Sequence, residues 1–114
     1  MRILYRGTHE PFTEVGSRWT TESVWAASLE LLGHEVIRND EQTTDWSTTL
    51  RQAEDVDLFL TTSTYGYAVR WPQREGFQAI RSMNARGLQT AMVHLDKWHG
   101  LGNREAQLRE NPQF

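Results

Sequence analysis

Apolar and polar positions along this chain fall into blocks of two periods. Short apolar runs at Arg2 to Arg6, His34 to Arg38, Asp57 to Thr62 and Gln89 to Val93 read as strands, each bounded by glycine or polar turn residues. The longer segments between them carry a helical period. Thr20 or Thr21 caps a helix running to Leu32, and its apolar positions Val24, Trp25, Ala27, Leu29, Leu31 and Leu32 cover a broad face. Gly33 follows as a natural terminator. A second, short helix starts at a Ser47 cap and runs to about Ala53, with Trp46 and Leu50 as its apolar contacts. A third, Arg74 to Arg86, shows Phe77, Ile80 and Met83 at helical spacing and is closed by Gly87. Asn103 to Glu110 reads as a last, polar helix before Pro112.

Strands alternating with helices predict an α/β fold: a single Rossmann-like three-layer αβα domain over 1–114, with a parallel sheet of about four strands and right-handed crossovers. The expected strand order is 3-2-1-4. That order reverses between strands one and four, so the loop after Gly7 would face the loop after His94 across the crevice where such sheets bind ligands. A flavodoxin-like order would instead bring the Ser63 to Tyr67 loop to that place.

Composition narrows the class without naming a function. A net charge of −3 argues against a general nucleic-acid binder, which carries a basic face. With no cysteine, a disulfide framework and thiolate metal sites are excluded. The N-terminus enters a strand without a signal-peptide pattern, and no apolar run approaches the roughly 20 residues needed to span a bilayer. A cytoplasmic protein is the expectation. Of the five tryptophans, Trp19, Trp46, Trp71 and Trp98 stand in loops or element starts. They serve as core plugs or as the flat faces on which sugar rings pack.

Candidate chemistry gathers where the fourth strand ends. Behind the apolar run Gln89 to Val93 come His94, Asp96, Lys97, Trp98 and His99, then Gly100 and Gly102. His94 reads either as a general base or ligand contact, or as a core histidine bonded to backbone. Asp96, Trp98 and His99 are candidate substrate contacts. No metal is expected there, because the loop has no regular ligand spacing. The loop from Gly7 to Gly16 lacks a dinucleotide fingerprint and a Walker-type lysine, which disfavours NAD-linked redox and P-loop phosphotransfer. The helix start at Thr20 to Ser23 either receives a phosphate or carboxylate or is plainly capped. Asp55-Val56-Asp57 precedes its strand, on the edge away from the site, and reads as a solvated turn.

The segment Leu31-Leu32-Gly33-His34-Glu35-Val36 resembles the first helix and second strand of GT-B glycosyltransferases. The fourth strand with His94 and Asp96 is similar to the corresponding edge of their retaining, family-4-like members. Trp98-His99-Gly100-Leu101, Arg104-Glu105 and Asn111-Pro112-Gln113-Phe114 look like phage-encoded proteins of this type. The resemblance implies an acceptor-side, N-terminal domain that works with a C-terminal domain binding a nucleotide-sugar co-substrate, with no other cofactor. It implies a bacterial or phage-infected cytoplasm. It makes His94 the catalytic histidine near the transferred sugar, and Gly7 and Gly16 the glycine-bearing loop after strand one, although the family's Gly-Gly pair is absent. The chain stops where a fifth strand would begin, so the half is expected to be inactive alone. A second domain or another copy would cover the cleft, with Trp19, Trp71 and Trp98 exposed towards it. The rival expectations are a non-catalytic Rossmann-like binding module and a flavodoxin-like nucleotide binder.

Overall fold

A computed structural model of the chain describes residues 1–9, 20–63 and 73–94. Over these, β1 (Arg2–Gly7), α1 (Thr21–Leu31), β2 (Glu35–Asp40), α2 (Trp46–Gln52), β3 (Leu58–Ser63), α3 (Gln73–Ala85) and β4 (Gln89–His94) follow one another. A 3-10 turn, Ala53–Asp55, extends α2. All strand pairs are parallel, and the fold is a Rossmann-like three-layer α/β architecture. Residues 103–110, expected as a last helix, lie outside the described residues.

The four strands pair in the order β2-β1-β3-β4, which corrects the expected 3-2-1-4. Charge placement explains the outcome. Strands inside a doubly covered sheet need apolar residues on both faces. In β1, Ile3, Leu4 and Tyr5 are all buried, as are Phe59 and Leu60 in β3. β2 carries exposed Glu35 and Arg38, and β4 opens on exposed Gln89. An interior β2 would have had to bury those charges, so β2 and β4 take the edges.

Alternate strand residues build two cores. Leu4, Phe59, Ala53, Ile80 and Met83 form one beneath α2 and α3, joined by Trp46 and Leu50. Ile3, Tyr5 and Leu60 form the other with Ala26 of α1, joined by Leu29 and Val36. The broad apolar face of α1 is therefore divided. Ala26 and Leu29 meet the sheet, whereas Val24, Trp25, Leu31 and Leu32 stay exposed. Gly76 of α3 lies against Trp46, where a β-carbon would come within 2.6 Å of the indole ring.

Helix ends follow local chemistry. Thr20 and Ser23 form a reciprocal capping box on α1: the Ser23 amide donates to the Thr20 hydroxyl at 3.0 Å, and the Thr20 amide to the Ser23 hydroxyl at 3.1 Å. At the other end Gly33 takes φ +95°, its amide donates to Glu30 O, and the His34 amide donates to Leu29 O. Those two bonds satisfy carbonyls the helix leaves open, in the conformation glycine adopts most readily. Gly87 closes α3 in the same way at φ +85°. For α2 the cap is Asp45, whose carboxylate accepts the Thr48 amide at 2.7 Å; the expected cap, Ser47, is instead the second residue of the helix, two positions further on. Among the described residues, no helix is long and apolar enough to cross a membrane.

Candidate functional site

The strand order sets the place where a site can form. From β1 the chain steps to β2 on one side, then passes over to β3 on the other, so the topology reverses between β1 and β3. The crevice of such a sheet opens at the carboxyl ends of the two strands flanking the reversal. Those ends are Gly7 and Ser63. His94 ends β4 and pairs with Ser63, so it shares the carboxyl edge with Gly7 but stands two strands away, about 10 Å at the usual strand spacing. Gly16, Asp96, Trp98 and His99, together with Trp19 and Trp71, lie outside the described residues.

Around Gly7 the wall is polar and largely sealed. Gly7 is buried beneath Glu22, the second residue of α1, and its carbonyl accepts the Glu41 amide at 2.9 Å. The Glu22 side chain lies on the buried stripe of α1, one turn before Ala26, and is 3% exposed. Its Oε1 has no hydrogen-bond partner. Burial raises the Glu22 pKa; its own amide and the Thr8 amide oppose this, while Glu41 and Asp40 add to it. Thr8 donates its hydroxyl to Glu41 at 2.5 Å. Asp40 ties two turns together, accepting the His9 amide at 3.0 Å and the Gln42 amide at 2.8 Å.

Behind Glu22 stands a hydroxyl and imidazole layer. The Tyr5 hydroxyl and the Thr62 hydroxyl lie 2.6 Å apart, linking the carboxyl halves of β1 and β3. His9 Nε2 sits 2.7 Å from the Tyr5 carbonyl, with its ring edge-on to the Tyr5 ring at 4.9 Å. An imidazole nitrogen so placed must carry the proton, because a carbonyl only accepts. Burial pushes the Tyr5 hydroxyl pKa up, Thr62 offsets part of it, and the Glu22 charge adds to the rise.

The opposite face of the sheet carries a separate buried cation. Arg6 Nη1 donates to Asn39 Oδ1 at 2.6 Å, to Thr44 O at 2.8 Å and to Thr49 Oγ1 at 3.0 Å. Its guanidinium lies 4.0 Å from the Trp46 ring centroid. Burial lowers its pKa to about 10, with Glu41, Asp40 and Asp45 opposing. It is charged at neutral pH and acts as a bolt between β1, β2 and α2.

The Thr20 to Ser23 helix start is capped, the Thr20 and Ser23 amides engaged by each other's hydroxyls. Asp55 and Asp57 lie at the amino edge and hold Arg2, Asp55 through the guanidinium and Asp57 through the Arg2 amide at 2.7 Å. A shallow cavity of about 260 Å³ on that edge, lined by Glu54, Asp57, Arg86 and Leu88 among others, is remote from the carboxyl-edge cluster. No group of three or more metal-ligating side chains occurs among the described residues.

Glu22, Thr8, His9 and Thr62 were not singled out in the sequence. The signal for Glu22 was present: a carboxylate one turn before Ala26, on the stripe that meets the sheet. His9 and Thr8 follow a strand that ends in glycine, a position where ligand contacts concentrate. Set against known proteins, the chain matches no family model, no curated protein and no solved structure.

Proposed function

We propose that the chain is the acceptor-side domain of a cytoplasmic glycosyltransferase, and that it holds a neutral, hydroxyl-rich acceptor at the carboxyl ends of β1 and β3. The supporting observation is the character of the wall. Glu22 offers a buried oxygen without a partner, and Glu41 and Asp40 make its surroundings acidic. An acidic wall repels a phosphate and accepts hydrogen bonds from hydroxyl groups. A donor diphosphate would then belong on another domain, as the resemblance around Gly33-His34-Glu35-Val36 implies. His94, at the end of β4, is the proposed general base, taking the proton of the acceptor hydroxyl that attacks the transferred sugar.

Isotope-labelled chain titrated with neutral oligosaccharides, and separately with UDP-glucose, tests the division of labour. The oligosaccharide should shift the amide signals of Gly7, Thr8 and Glu22, and Glu22→Gln should weaken that response. Stronger perturbation of these amides by the nucleotide-sugar than by any neutral glycan would overturn the acceptor assignment.

The strand order favours one second reading. β2-β1-β3-β4 is the flavodoxin-like arrangement, and a flavin or nucleotide would occupy the same β1–β3 crevice. The acidic wall speaks against a phosphate beside Glu22. Saturable FMN binding that protects Gly7 and Thr8 would favour this reading over the first.

A further inference from the structure

Glu22 is the second residue of α1, and the stripe that brings Ala26 to the sheet brings its carboxyl group there as well. The side chain closes over Gly7 at the end of β1, and one carboxyl oxygen accepts the Thr8 amide. The other, Oε1, is sealed from solvent and has no hydrogen-bond partner. Facing the group are Tyr5 of β1 and, from the end of β2, Asp40 and Glu41. His9 borders the Tyr5 ring, and Thr62 of β3 bonds the Tyr5 hydroxyl. Arg6 lies on the opposite face of the sheet, held by Asn39, Thr44 and Thr49. Among the described residues Glu22 forms no ion pair.

We propose that Glu22 is a proton-operated latch on the β1–β3 crevice. Protonated, it lies closed over Gly7; ionised, it turns out towards the start of α1 and uncovers the end of β1. The closed arrangement suits only the neutral acid. A buried carboxylate with no cation beside it, and with Asp40 and Glu41 near, keeps its charge at a cost that burial does not repay. The open arrangement suits the ion. A carboxylate in the first turn of a helix is favoured by the helix dipole, and the neighbouring Thr21 already stands exposed there.

The latch also accounts for how a sealed oxygen can meet a ligand. While Glu22 is closed, no hydroxyl group from outside reaches Oε1. Turning the side chain out presents both carboxyl oxygens at the crevice and frees the Thr8 amide as a donor beside them. The binding-competent form is then the ionised one, and apparent affinity falls with its fraction. As a gate on the acceptor this rests on the function proposed above. The latch itself, being a property of the empty chain, does not.

Amide spectra of the labelled chain, from the ordinary glutamate value of 4.5 up to about pH 8, read the latch without any ligand. The Gly7 and Thr8 signals should move together with the Glu22 carboxyl carbon, and Glu22→Gln should abolish that transition. At about pH 7 the Thr8 amide should exchange with deuterium roughly tenfold faster in the parent than in Glu22→Gln, because exchange follows local opening. A Glu22 carboxyl that titrates while the Thr8 amide stays fixed overturns the latch, as does a transition that persists in Glu22→Gln. The carboxyl and Thr8 signals of the parent decide this even if the variant does not fold. A neutral oligosaccharide should then bind several-fold more weakly at about pH 5 than at about pH 7. Equal binding at both values overturns the gate. A latch that moves in a chain with no response to any glycan sinks the acceptor assignment instead, and leaves the latch standing.

Discussion

A β-carbon on Gly7 would stand 2.6 Å from Cγ of Glu22. The glycine at the end of β1 is needed for close approach of α1, since its backbone torsion is not in the left-handed region. Gly7→Ala must push α1 off the sheet or turn the Glu22 side chain away from β1. It should destabilise the fold by about 1–3 kcal/mol, the range for overpacking a filled interior. Chemical denaturation of Gly7→Ala, of Glu22→Ala and of the double variant reads the coupling. The double variant should be less destabilised than the two single losses added together.

Glu22 also predicts a pH dependence. Its folded pKa is raised above the usual carboxylate value by burial, so the folded chain binds its proton more tightly than the unfolded chain does. Its contribution to stability is complete below the unfolded value of 4.5 and is lost as pH rises through the raised folded value. Glu22→Gln removes the charged form. The variant should melt higher than the parent at neutral pH, and the difference should shrink towards acid. Thermal melts of both proteins across that range check it; a constant offset at every pH would show that Glu22 titrates normally.

On the other face, Arg6 and Trp46 predict a demanding substitution. Lysine keeps the charge and has donors enough on its one nitrogen, but it lacks the planar guanidinium that lies over the indole while its edge meets Asn39, Thr44 and Thr49. Arg6→Lys should lose about 2–4 kcal/mol, from charge-assisted hydrogen bonds worth about 1.5–3 kcal/mol each and partly replaced. Denaturant unfolding followed by tryptophan fluorescence would report the stability. A loss below about 0.5 kcal/mol, the range of ordinary surface substitutions, would mean that the bolt is not used.

The alternation of strands and helices was legible because period and turn chemistry are local. Gly33 and Gly87 close their helices where the pattern expected, each with positive φ. Strand order was not legible in the same way, since it depends on comparing strands with one another. The comparison needed only residues already in view: Leu58-Phe59-Leu60 is apolar throughout, whereas β2 interleaves Glu35 and Arg38 with its apolar residues. The orientation of α1 was harder to read. Its apolar positions run almost all the way round, so periodicity alone could not say that Ala26 faces the sheet and Trp25 faces outwards. Glu22 was hidden by the same ambiguity, because a charge on a helix is first taken as solvated.

The strand order also changes what His94 should do. With β3 between them, the ends of β1 and β4 are separated by two strand spacings. A ligand held in the β1–β3 crevice as proposed would lie nearest the ends of β1 and β3, and only a part of it extending across β3 would come near the end of β4. In sugar transfer by a complete two-domain enzyme, the two positions should therefore fail differently. Glu22→Gln should raise KM for the acceptor with little change in kcat, as expected for an interaction equal in ground and transition states. His94→Ala should lower kcat by roughly two to four orders of magnitude at nearly constant acceptor KM, the loss expected for a general base. A core histidine predicts a different result: His94→Ala lowers the melting temperature and leaves turnover per folded molecule intact. Steady-state kinetics and thermal melts on the same two variants separate these outcomes. Unchanged kcat in folded His94→Ala protein would remove His94 from the chemistry and leave the β1–β3 crevice, with Glu22, as the site.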